Sequence, residues 1–213
     1  MVERFVNWKR YNFDALLNYS KNFGQHGLKV MVGYHAEKYE VSKNQMQRNN
    51  FPSNSLNDMD AGGASTQTND GLSRELAMLS YFGRINYDFA GKYLLEANFR
   101  ADASSRFAPG HRWGVFPAFS LGWVMSEEEF FQPLKNVVSF FKVKGSWGMM
   151  GNDNVTAYQY MSQYKFIDLN NTSSMCFGDE VVKAIYESRT ANPLITWEKA
   201  KTWNLGFSSQ FLD

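Results

Sequence analysis

From Tyr93 to Ser104 the chain alternates: Tyr93, Leu95, Ala97, Phe99, Ala101 and Ala103 are apolar, while Glu96, Asn98, Arg100, Asp102 and Ser104 between them are polar. A period of two predicts a strand with one greasy face and one wet face. A polar knot, 104–112, separates this run from a second one starting at Trp113, whose heavier side is Val115, Pro117, Phe119, Leu121, Trp123 and Met125. The same periodicity predicts five further strands, at about 11–20, 28–45, 77–89, 140–150 and 197–211. In 28–45 the parity flips, and Leu28, Val30, Val32, Tyr34 and Ala36 form the apolar side. Odd-numbered residues of 77–89, 93–104, 113–125 and 141–149 are therefore expected on one face. Arg84, Glu96, Arg100, Lys142 and Lys144 are expected on the other.

The pattern predicts an all-β chain of about seven strands. Alternation alone suits either a soluble sandwich, with a protein core, or a membrane barrel, with lipid in its place. The connections discriminate. Those at 21–27, 90–92 and 127–138 are short or compact, whereas 47–75 and 152–196 are long polar tracts, with 105–112 in between. Every second connection is short, as in barrels with short periplasmic turns and longer extracellular loops. Gly24 and Gly27 suit positive φ in the first turn. Ser126 with Glu129 has the form of a capping box, so a short helical turn is expected before Pro133. Seven strands are an odd number and leave two unpaired edges. The expected fold is thus an antiparallel transmembrane β-barrel in part: an open curved sheet, an interior piece of a larger barrel.

Composition narrows the picture. The chain has 213 residues, 44% hydrophobic, 16% aromatic and 20% charged, enough for one large domain. A net charge of +1 gives no pull toward nucleic acid, and no nucleic-acid partner is expected. No run reaches the roughly 18 apolar residues of a membrane-spanning helix, which leaves barrels open. Cys176 is the sole cysteine, so no intrachain disulfide forms. The start, Met1-Val2-Glu3-Arg4, carries no signal-peptide pattern, so an export signal is expected outside these residues. His26, His35 and His111 lack metal-ligand spacing, and there is no phosphate loop, nucleophile elbow or acid pair. Neither enzymatic activity nor a cofactor is expected.

Several motifs in order carry a resemblance. Asp102-Ala103-Ser104-Ser105-Arg106-Phe107 is followed by Arg112-Trp113-Gly114-Val115-Phe116-Pro117 and Gly122-Trp123. Upstream stand Tyr81-Phe82-Gly83-Arg84-Ile85-Asn86-Tyr87 and Lys92-Tyr93-Leu94-Leu95. Downstream come Ser126-Glu127-Glu128, then Lys142-Val143-Lys144-Gly145-Ser146-Trp147-Gly148 with Gly151-Asn152, and Asn192-Pro193-Leu194-Ile195-Thr196-Trp197-Glu198. Together, over about residues 77–212, they resemble the SusC/RagA type of TonB-dependent outer-membrane transporter. Ala103 stands where that family commonly has Gly, and Met150 where Thr is usual. Residues 1–76 show only strand, loop and strand.

The resemblance implies a barrel of roughly 22 strands with a plugged lumen, the plug lying outside residues 1–213. It implies energised import of large nutrients, glycan or peptide, across the outer membrane. The implied partners are TonB, reached through segments not in this chain, a SusD-like surface lipoprotein as lid, and outer-membrane lipid. Arg106, Arg112 and Asp102, around one outer loop, become candidate contacts to substrate or lid; the ordinary reading is a salt-bridged knot that fixes the loop. Arg84, Glu96, Asn98, Arg100 and Asp102 are expected to line the lumen. Tyr158, Tyr160, Tyr164 and Phe166 share a parity and either stack on sugars or brace a hairpin. Tyr93, Trp113, Trp123 and Trp147 are expected in aromatic girdles near strand ends. Two other readings compete: a soluble β-sandwich carbohydrate-binding module and a passive structural barrel.

Overall fold

The alternating runs become neighbours in one sheet. The computed structural model describes residues 1–166, 175–177, 180–182 and 185–212. Its strands are β1 (Val2–Phe23), β2 (His26–Gln47), β3 (Thr68–Phe89), β4 (Tyr93–Ser104), β5 (Trp113–Val124), β6 (Val138–Asn152), β7 (Gln163–Phe166), β8 (Met175–Phe177), β9 (Glu180–Val182), β10 (Ile185–Arg189) and β11 (Glu198–Phe211). Seven form an antiparallel sheet in the order β1-β2-β3-β4-β5-β6-β11. β7 with β10 and β8 with β9 make two small ribbons. β1 and β11 stand at opposite edges, so the sheet is open. Among the described residues no second sheet covers it, which removes the sandwich reading. No described helix is long and apolar enough to cross a membrane, a fact silent on strand-built barrels.

Register settles the faces. Tyr81 pairs with Tyr34 and Ala101, Tyr93 with Trp123, and Trp147 with both Phe119 and Trp203. Directly opposed residues share a face, so the odd side of β3–β6 and β11 is continuous with the even side of β2. Phe99 and Arg100 point to opposite sides, as expected. The outer face exposes Phe13, Leu17, Tyr81, Phe99, Phe119, Leu121, Trp203 and Leu205. Trp113 stacks on Tyr81 at 6.0 Å near the long-loop rim, and Phe89 stacks on Tyr93 at 6.3 Å near the short-turn rim. Ten positions of β4, from Tyr93 to Ala103, separate the Trp123 row from the Trp113 row. At about 3.4 Å per residue and about 40° of tilt, that is about 26 Å of height, close to the apolar band of a barrel. Trp147 departs from the expectation: it lies at mid-height between Phe119 and Trp203, not near a strand end.

Two strand boundaries and two turn features differ from the periodic reading. β1 begins at Val2, not near Tyr11, and β3 begins at Thr68, inside the tract expected as loop. Both extra stretches pair with β2 along its full length, and backbone pairing overrides their lack of a usable period. Gly24 takes φ +62 in the first turn, but Gly27 is a regular β2 residue. The turn after β5 is two 3-10 segments, Met125–Glu127 and Glu129–Leu134, without a side-chain cap. Ser126 is buried with its hydroxyl unpartnered, so the capping box does not form.

Candidate functional site

The motif residues meet at the long-loop rim. Phe107, fully buried, packs with Phe116 and Trp197; the Trp197 ring lies 5.4 Å from Phe107 and 5.2 Å from Phe116. These three come from the β4–β5 loop, from β5 and from the residue before β11. Trp197 was expected to open the last strand; it is a plug for this small core instead. Glycines make room for it. A Cβ on Gly151 would stand 2.0 Å from the Phe116 ring, and one on Gly114 2.4 Å from the same ring.

Polar bonds tie the core to the loops. Trp197 Nε1 donates to the Arg112 carbonyl at 2.8 Å, and Thr196 Oγ1 to the His111 carbonyl at 3.1 Å. Arg112 Nε reaches the Phe107 carbonyl at 3.3 Å. Arg106 donates to the Val155 carbonyl at 2.6 Å and stands 3.6 Å from the Asp153 carboxylate, which also accepts from Ser104 Oγ at 2.8 Å. Asp102 does not join this group. It is buried under Arg100, whose Nε lies 2.8 Å from its carboxylate. Asp153, which organises Arg106, has no signature in the sequence because it sits in a polar tract with no period.

Arg84, Glu96, Asn98, Arg100 and Asp102 lie together on the inner face. Arg84 Nε donates to Asn98 Oδ1 and Asn98 Nδ2 to Glu96 Oε1, each at 2.7 Å. Arg100 also bonds Ser80 Oγ at 3.1 Å and lies over the Phe82 ring at 5.5 Å. Toward the short-turn rim this face forms a groove of about 700 Å³, with Lys29, Glu96, Ser120, Lys142, Lys144 and Asn204 in its wall. Tyr158, with φ +59, donates its hydroxyl to the Glu75 carbonyl, binding the loop after β6 to β3. Tyr160 is half-buried nearby in sequence, and Tyr164 on β7 is 66% exposed. The side chains of Phe166 and Cys176 lie outside the described residues. Among the described residues no cluster of His, Cys, Asp or Glu is placed to hold a metal ion.

The short-turn rim is clasped by Glu128. Its carboxylate accepts from Tyr93 Oη at 2.7 Å, Trp123 Nε1 at 3.1 Å and Lys92 Nζ at 3.1 Å. These bonds, that from Tyr93 first, hold the carboxyl below its usual range.

Residues 3–213 match the family model described as TonB dependent receptor-like, beta-barrel. The chain is 30% identical to the TonB-dependent receptor SusC of Bacteroides thetaiotaomicron, over 98% of this chain and 20% of that protein. It is 28% identical to the TonB-dependent receptor P3 of Formosa agariphila, over 94% of this chain and 19% of that one. The chain thus spans about a fifth of the length of these relatives. Among solved structures it superposes on the RagAB peptide transporter with a TM-score of 0.86 and 24% identity, over 99% of this chain and 23% of that chain. The same importer in a closed–closed state gives 0.85.

Proposed function

The chain belongs to the β-barrel family of TonB-dependent receptors of the outer membrane, and from that premise we propose that all of its residues form one stretch of the wall of a larger barrel that imports large nutrients. The observation that carries this is the outer face. A band of aromatic and aliphatic side chains about 26 Å high lies between a rim of short turns and a rim of long loops. The inner face, with Arg84, Glu96, Asn98, Arg100 and Asp102, lines the lumen. A SusD-like lipoprotein is the surface partner, TonB the energy-coupling one, and the cargo is glycan or peptide. Arg106 acts on cargo through loop position, its guanidinium being engaged by the Val155 carbonyl and Asp153, whereas Arg112 is exposed with only Nε on the Phe107 carbonyl and presents its Nη groups to cargo or lid.

The test is uptake by the full-length protein in its own outer membrane. Labelled oligosaccharides and peptides are offered to wild-type cells, to a deletion strain and to cells lacking TonB. Uptake of one class that disappears in both mutants, with a lipoprotein co-purifying in detergent, is the expected result. Normal uptake of both classes in the deletion strain would leave a structural barrel in its place.

A further inference from the structure

Beyond the apolar band the sheet turns inside out. β1–β3 continue past the last β3–β4 pair, Met78 with Ser104, up to Thr68, about 30 Å at about 3.3 Å per residue. On this blade the outer face becomes polar: Lys9, Glu40 and Glu75 lie in one row, Asn7, Ser42 and Ser73 in the next. Phe5 is an exception. The inner face, polar within the band, becomes apolar and cationic. Its rows read Arg10–Tyr39–Leu76, Trp8–Val41–Arg74 and Val6–Lys43–Leu72. Trp8 is 66% exposed, Leu72 50% and Val6 48%. Lys43 and Arg74 have no ion pair or hydrogen bond among the described residues.

The same blade has an open edge. Ala77 exchanges bonds with Ser105 on the β4 side: its N–H donates to Ser105 Oγ at 2.9 Å and its carbonyl accepts from Ser105 N–H at 3.0 Å. Odd residues of β3 thus turn their backbone groups that way. Tyr158 covers the Glu75 carbonyl, and Asp70 takes the Gly71 N–H at 2.8 Å. Farther out, the backbone groups of Asn69 and Ser73 and the Gly71 carbonyl meet no partner among the described residues. An open row of this kind pairs with polypeptide backbone, which a sugar cannot imitate.

We propose that the β3 edge from Thr68 to Arg74, with the inner face beside it, captures peptide cargo in extended form as an added strand. The slot is bounded below by Ser105 and Tyr158 and admits about six residues at about 3.3 Å each. Inward side chains of a peptide captured antiparallel to β3 lie beside Arg74, Leu72 and Asp70 in turn, so an acidic–apolar–basic alternation is preferred. Calling the peptide cargo rests on the importer reading; the binding itself does not.

The test uses the purified full-length protein in detergent with any co-purifying lipoprotein, and a labelled peptide Glu-Thr-Leu-Thr-Lys-Thr. Ser73→Pro removes an edge N–H at a position where an edge strand tolerates proline, and is expected to weaken binding at least tenfold. Backbone N-methylation of the peptide is expected to do the same. A Lys-for-Glu peptide is expected to bind wild type poorly and to recover on Arg74→Glu, a pattern that mere misfolding does not produce. Binding unchanged by Ser73→Pro and by N-methylation would overturn the proposal, as would indifference of Arg74→Glu to peptide charge. Binding seen only once the lipoprotein is stripped away would assign the slot to the partner and also overturn it. Loss of TonB-dependent uptake with this binding intact would instead count against the importer reading.

Discussion

Phe99 and Arg100 are adjacent in the chain and face different media. Phe99, half exposed on the outer face, looks into lipid in the assembled barrel. Phe99→Arg should cost about 2–4 kcal/mol near the bilayer midplane, read as a lower urea midpoint for the full-length barrel in vesicles. A midpoint equal to wild type would contradict the outward assignment. Arg100 shows why a polar position on the inner face is not automatically mild. Its partner Asp102 is buried, and truncation leaves that carboxylate without its 2.8 Å contact. Because the guanidinium is partly exposed, Arg100→Ala should cost about 1–3 kcal/mol, less than a fully buried pair. The double variant Arg100→Ala with Asp102→Ala should recover part of the loss, since it removes the stranded charge.

At the scale of elements, two devices hold strands together beyond the ladder. At the long-loop rim the Phe116 ring lies where side chains of residues 114 and 151 would otherwise be. Gly151→Ala should force that ring against Trp197 and cost about 1–3 kcal/mol by overpacking. Added Phe116→Leu should relieve the strain, and no relief in thermal unfolding would remove the packing account. At the short-turn rim the clasp on Glu128 depends on pH. Hydrogen bonds depress its folded-state carboxyl below the unfolded value. Its stabilisation is therefore present above the unfolded value, about 4.3, and is lost as pH falls through the folded one. The full-length barrel should lose stability between neutral pH and pH 3, and Glu128→Gln should flatten that part of the curve. An unchanged curve would mean that the clasp contributes nothing.

At the scale of the molecule, the chain presents more apolar surface than water tolerates. Leu205, Trp203, Leu17 and Phe207 are each more than two-thirds exposed, and β1 and β11 leave open edges. Residues 1–213 expressed alone without detergent should aggregate or remain without fixed aromatic packing. A sharp monomer peak on size exclusion, with strong near-UV dichroism, would show that the sheet buries its outer face in some other way.

Where the face pattern is two-residue and unbroken, the sequence by itself determined the outcome. β4 matches its periodic run to the residue, and the parity relation between β2 and β3 follows from which side carries the apolar groups, because a one-residue slip would turn every one of them over. The rim motifs marked the right loops. The tertiary structure alone decided what has no local signature. Residues 2–10 and 68–76 become strand because β2 is long enough to pair with both, although their apolar groups have changed face above the lipid band. Asp153 becomes the partner of Arg106, and Asp102 of Arg100, because the sheet brings together residues that chain distance keeps apart or that parity alone does not rank. Ser126 fails to cap because the chain tightens into 3-10 turns that turn its hydroxyl inward. Periodicity reports the medium on each side of a strand; it carries no information on which long-range neighbour a charged side chain meets.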